Sequence, residues 1–144
     1  MQAADRDFSY RVYADTRREE LAVLDWPPEQ KEAFLRMQFD LRERQYRAEY
    51  PDAVREMILC DDVPAGSMII LKTADAIRLV DIALLEEFRR SGIGAAILRE
   101  MQKEGKKIVL HVLNQNPAVR LYSRLGFISV AEDAMYRRME WNPR

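Results

Sequence analysis

Arg89-Arg90-Ser91-Gly92-Ile93-Gly94 is the stretch of this chain best suited to chemistry. Two arginines lead into a glycine-containing turn, after which Ile93, Ala96 or Ile97, and Met101 recur at helical spacing. The first N–H groups of a helix have no partner within it, and the positive end of the helix dipole strengthens their pull on an anion. Glycines let a ligand approach the backbone closely. Together these features make a receptor for phosphate. The loop lacks the Gly-Lys-Ser/Thr ending of a nucleoside-triphosphate loop, and it lacks the first of the three glycines of a dinucleotide fold. Other reactive groups are few. His111 is the only histidine; its intrinsic pKa suits acid–base work, and packing or surface exposure is the competing explanation. Cys60 is the only cysteine, which leaves no internal disulfide, and no metal site is expected.

These residues need elements to position them. Ile77 to Leu84 reads as a buried strand feeding the loop, and Gly105 with Lys106 stops the helix after it. Asp7 to Val23 reads as a first helix, with Phe8, Val12, Leu21 and Leu24 inward. Pro27-Pro28 breaks the chain and opens a second helix, to about Tyr46, with Phe34, Met37, Leu41 and Tyr46 near one face. Its charged residues suggest a solvated face with i,i+4 pairs, Asp40 with Arg44 and Glu43 with Arg47. Val54–Cys60 and Ser67–Lys72 read as strands joined through a turn-rich connection from Asp61 to Gly66, and Ile108–Leu113 as another strand. Asn116 is placed to cap a further helix that Gly126 closes, before an antiparallel pair over 127–131 and 135–141. The expected fold class is α/β or α+β on a mixed sheet.

A chain of 144 residues is read as a single domain, 1–144. The net charge of −1 gives no general reason to bind nucleic acid or membrane. Residues 1–13 carry Asp5, Arg6 and Asp7 without an apolar run, so no signal peptide is expected. No segment approaches the roughly 20 apolar residues that span a bilayer. The lone cysteine suits a reducing cytoplasm.

The phosphate loop resembles that of the GNAT superfamily of acyl-CoA-dependent N-acyltransferases. That pattern is Arg or Gln, two residues, Gly, one residue, then Gly or Ala, and Arg89, Gly92 and Gly94 fill it. A second segment, Asn116-Pro-Ala-Val-Arg-Leu-Tyr-Ser-Arg-Leu-Gly-Phe127, resembles the family's other cofactor segment at the expected distance. The resemblance covers about the C-terminal half. It implies a mixed, mostly antiparallel central sheet flanked by helices, with acetyl-CoA as cofactor. The backbone of Ile82, Ala83 and Leu84 would pair with the pantetheine amides. The amides from Arg90 through Ser91, Gly92, Ile93 and Gly94 to Ala95 would hold the pyrophosphate, with added charge from Arg89 and Arg90. Asn116 would contact the cofactor or simply cap its helix. Tyr122 would protonate the leaving thiolate, which a phenol of pKa ~10 can do at neutral pH.

Two departures from the family pattern stand out. The family's usual strand before the first helix is short or missing, since only residues 1–4 are left for it, and an open sheet edge favours a homodimer. Where many members carry a glutamate base, this chain has Arg78. Asp81 is of opposite parity on the same strand and is expected to face the other side of the sheet, so the base is unassigned. Trp26, Gln38, Tyr46 and His111 are candidates for lining the acceptor site. The implied function is cytoplasmic transfer of acetyl from acetyl-CoA to a small-molecule or peptide amine. A noncatalytic acyl-CoA sensor stays open, as does a toxin acetylating aminoacyl-tRNA.

Overall fold

The computed structural model describes residues 3–143. Their order is α1 (Ala3–Thr16), α2 (Arg18–Ala22), α3 (Pro28–Glu49), β1 (Val54–Cys60), β2 (Val63–Lys72), β3 (Ala76–Leu84), a 3-10 helix (Glu86–Phe88), α4 (Ile93–Lys103), β4 (Lys107–Leu113), α5 (Ala118–Arg124), β5 (Ile128–Glu132) and β6 (Tyr136–Trp141). The six strands form one mixed sheet in the order β1-β2-β3-β4-β6-β5, flanked by helices as expected. No helix among the described residues is long and apolar enough to cross a membrane. No strand precedes α1 among these residues; Ala3 already belongs to the helix, and residues 1 and 2 of the expected short first strand lie outside the described part. Among the described residues β1 stands at one edge of the sheet.

The chain forms two compact units, and β3 runs through both: residues up to Ile69 with Ile82–Phe88 make the first, Ile70–Asp81 with residues from Arg89 onward the second. In the first unit, Tyr10, Tyr13, Leu21, Leu35 and Phe39 form the core of the helical layer, with Ala14 and Phe34 packed against it. Tyr10 meets Phe39 edge-on at 5.5 Å and donates to Glu32 at 2.8 Å. The expected continuous first helix is instead interrupted at Arg17, a turn residue between α1 and α2 whose N–H bonds to Ala14, three residues back, at 3.1 Å. The inward face of α3 also differs: Leu35, Phe39 and Glu43 are buried, whereas Met37 and Leu41 are exposed. Glu43 turns inward because Arg55 on β1 pairs with it, and Arg55 also donates to Ser67 at 3.2 Å. Asp40 pairs with Arg6. These partners replace the expected i,i+4 pairs on α3.

β1 and β2 are joined by Asp61 and Asp62 alone, both at positive φ (50° and 67°). Such a two-residue turn matches the twist of an antiparallel hairpin. β2 consequently begins at Val63, earlier than expected, and Gly66 lies within it rather than in the turn.

In the second unit, β3 and β4 pair in parallel, Ala76 with Lys107 through Leu79 with Leu110, and α4 supplies the crossover that a parallel pair requires. β4 pairs antiparallel with β6, from Ile108 with Trp141 to Leu113 with Tyr136, and β6 pairs antiparallel with β5. Ile77, Leu98, Ile108, Leu110 and Met139 are almost fully buried and form this unit's interior.

Candidate active site

The loop after β3 acquires its shape from local geometry. Arg90 and Gly92 both sit at positive φ, 61° and 86°, and Gly92 is the residue before the first turn of α4. A non-glycine residue in this region costs about 1 kcal/mol or more and is found where a fixed backbone shape is needed. Alternating right- and left-handed residues aim successive N–H groups into a concavity that suits an anion. Gly92 accepts from the N–H of Ala96 at 3.0 Å, while the N–H groups of the first turn point past the helix end.

The glycines tell what the loop faces. A Cβ on Gly92 would meet nothing within 4 Å, and one on Gly94 only the Leu121 side chain at 3.5 Å, an ordinary contact. Gly94 has no positive φ. Packing within the chain therefore does not demand a glycine at position 94, and the pattern the loop resembles admits alanine there. Neither glycine position is closed off by the chain's own side chains.

In the first unit, Ile82, Ala83 and Leu84 end β3 and are half-buried. Gly66 of β2 lies so close that a Cβ on it would fall 2.2 Å from the Ala83 carbonyl oxygen. Leu85 donates to Ala65 at 2.8 Å, which carries the β2 contact past the end of β3. In the second unit, the ladder with β4 covers only Ala76–Leu79, although β3 runs on beyond it.

Tyr122 lies on α5 and is 6% exposed, its ring 5.7 Å from Phe127. The helix is set at both ends. Asn116 Oδ1 accepts from the Ala118 N–H at 2.9 Å, and Gly126, at φ 97°, closes the helix against Trp141. Burial, and then the charge of Asp81, push the Tyr122 phenol up to about 12. It holds its proton throughout the biological pH range and is suited to donate, not to accept. Asp81 shares its strand parity with Ile77 and Leu79, opposite to Arg78, as the alternation required. Its electrostatic link to Tyr122 was not legible from the sequence, because parity names a face without naming what covers it. Gly66 was also missed, read as a turn residue.

His111 is exposed, and its Nδ1 lies 3.4 Å from Arg78 Nη1. A guanidinium only donates, so Nδ1 is the accepting nitrogen and the proton of a neutral ring sits on Nε2. The other acceptor-site candidates are scattered. Trp26 packs edge-on against Phe34 at 5.5 Å. Gln38 is half-buried further along α3, and Tyr46 lines a cavity near the end of that helix. From Pro28 to Tyr46 the helix rises roughly 27 Å, so Trp26 and Tyr46 cannot grip one small acceptor.

A mixed sheet with a helix-opening anion loop and a buried tyrosine on the following helix defines a class. The sequence profile of the acetyltransferase (GNAT) domain matches residues 54–129, and the chain belongs to that family. An N-alpha-acetyltransferase of Sulfurisphaera tokodaii is 41% identical over 59 residues, which is 36% of this chain and 35% of that protein. The chain thus matches only about a third of the length of that relative. Among solved structures, the PaiA N-acetyltransferase of Thermoplasma acidophilum, in complex with coenzyme A, superposes with a TM-score of 0.69 at 21% identity, covering 99% of this chain and 95% of that one. The ribosomal-protein-S18-alanine N-acetyltransferase of Escherichia coli gives 0.62 at 18% identity, covering 98% and 89%. At these identities the superpositions speak for the fold.

Proposed function

We propose that residues 1–144 act as one acetyl-CoA-dependent N-acetyltransferase domain. The observation that carries this reading is the loop before α4: positive φ at Arg90 and Gly92, with open space on the side where a Cβ of Gly92 would lie. Coenzyme A, when bound, supplies an acetyl group activated as a thioester. In this reading the amides from Arg90 to Ala95 hold its diphosphate, and the backbone of Ile82, Ala83 and Leu84 pairs with its pantetheine arm. Backbone amides also steady the negative charge on the carbonyl oxygen as an acceptor amine attacks. Tyr122, a phenol protonated at neutral pH, would donate its proton to the departing sulfur, and the proton shed by the attacking nitrogen as the amide forms would restore it. The acceptor is an amine of a small molecule or peptide. The site of action is the cytoplasm, which the single cysteine suits, and the edge position of β1 favours a homodimer.

A second reading rests on Arg78 and His111. A guanidinium occupies the place of the family's usual carboxylate, and the one histidine nearby accepts from it. Both features suit a noncatalytic acyl-CoA sensor. Titration calorimetry with acetyl-CoA, against NADH and ATP, tests the shared part; thiol release on a panel of amines then separates the two. Selective one-site binding with thiol release on some amine establishes the enzyme. Binding without turnover on any amine leaves the sensor, and no acetyl-CoA binding by folded protein removes both.

A further inference from the structure

The first unit contains a cavity of about 610 Å³ between the ends of α1 and α3 and the strands β1 and β2. A volume of this size suits a small organic ligand. Its wall divides by chemistry. Ser9, Glu43 and Ser67 are buried there, at 3%, 7% and 3% exposure, beside Arg55. Ser67 Oγ accepts from Arg55 Nη1, which leaves its own proton to donate. Phe8, Met57 and Ile69 supply an apolar surface in the same cavity.

The charge of the lining is unequal. It carries Arg6, Arg47 and Arg55 against one carboxylate, Glu43. Glu43 pairs with Arg55, and Asp40 pairs with Arg6. The charge of Arg47 is additional to these two pairs, so the cavity favours an anion over a cation. Polar groups this deeply buried in the wall of an open cavity are more than a solvated surface. They offer hydroxyl and guanidinium donors to a head group, while the aromatic and aliphatic side chains offer cover to a body.

We propose that this cavity is a binding site for a small amphipathic anion, a carboxylate with an aliphatic or aromatic body, separate from the acetyl-transfer reading. The carboxylate bonds Arg55 and the Ser67 hydroxyl within the field of Arg47, and the apolar body lies along Phe8, Met57 and Ile69. Three probes of equal chain length, decanoate, decanol and decylamine, test it by calorimetry below their micellar concentrations.

Decanoate is expected to bind one-to-one, roughly tenfold more tightly than decylamine, with decanol between them. Arg47→Ala, at an exposed position, should weaken decanoate several-fold and leave decanol unchanged. Ser67→Leu should abolish decanoate binding by filling the head-group end, and saturating acetyl-CoA should not displace the probe. The proposal falls if decylamine binds as well as decanoate, if Arg47→Ala leaves decanoate affinity intact, if acetyl-CoA competes, or if no probe binds. Should Ser67→Leu fail to fold, the head-group series and Arg47→Ala decide alone.

Discussion

The charge of Asp81 helps keep the proton on Tyr122. Burial of the ring is the larger cause, and the carboxylate reinforces it, since a phenolate near a carboxylate is doubly disfavoured. A phenol in this state is protonated at neutral pH, so in the proposed reaction it can enter only as the acid. Tyr122→Phe is therefore expected to lower acetyl transfer by about 10²- to 10⁴-fold while acetyl-CoA affinity stays within roughly twofold. Thiol-release rates and calorimetry on the same preparation check this. A variant that turns over like the parent would end the proposed role.

The same phenol makes stability fall in alkali. Tyr122 and Tyr10 are both pushed up to about 12, Tyr122 chiefly by burial and Tyr10 by burial together with its bond to Glu32. The folded pKa lies above the unfolded value of about 10, so the fold favours the neutral phenol. The contribution is complete below pH ~10 and is lost as pH rises toward ~12, on the order of 2–3 kcal/mol for the buried Tyr122 and less for Tyr10, whose hydroxyl is screened by solvent. Urea unfolding at rising pH should show this decline, and Tyr122→Phe should flatten part of it. Absorbance of tyrosinate in the native protein should show Tyr10 and Tyr122 ionising late.

Gly94→Ala separates packing from ligand binding. The new methyl meets only Leu121 at 3.5 Å, and the residue lies in the first turn of α4. Alanine there should leave thermal stability unchanged or raise it by up to about 1 kcal/mol. Acetyl-CoA affinity should stay within roughly twofold, because the family's loop pattern admits alanine at this position. A folded variant that loses acetyl-CoA binding would show that the bound diphosphate approaches residue 94 more closely than the proposed loop allows.

Removing one partner of the Glu43–Arg55 pair should be costly. Both side chains are largely buried. Glu43→Leu strands a guanidinium and should cost about 3–5 kcal/mol, while Glu43→Leu with Arg55→Leu should recover most of that loss. Urea denaturation of the three proteins measures it. A single variant within about 1 kcal/mol of the parent would mean the pair is effectively solvated.

Local features were legible in the sequence, and features made by distant partners were not. β1 runs over Val54–Cys60 as its composition suggested, and Asn116 caps α5 through its own side chain. Both depend on neighbours in the chain. The inward face of α3 was misjudged because a buried glutamate looks like a surface residue until Arg55, 12 positions away, is known to meet it. The start of β2 was misjudged because Pro64 and Gly66 are turn formers by habit. Here the turn is made by Asp61 and Asp62, and Gly66 answers to the backbone of Ala83. The break at Arg17 has no glycine or proline to announce it. Within the candidate site, the turn that opens α4 was legible as a contiguous glycine-containing run, whereas the link between Asp81 and Tyr122 joins β3 to α5 and needed the fold.

The strand order has a consequence for the nascent chain. Helices α1–α3, β1, β2 as far as Ile69, and Ile82–Phe88 form one unit, all of it synthesised before α4 and the strands that follow. β4, by contrast, takes β6 as its neighbour and not the β5 made before it. From the moment Leu113 leaves the ribosome until Trp141 follows, one side of an almost wholly apolar strand has no permanent partner. An unpaired edge of this kind is a template for association between chains. Truncations ending within β5 should accordingly aggregate during translation, with their first unit already folded.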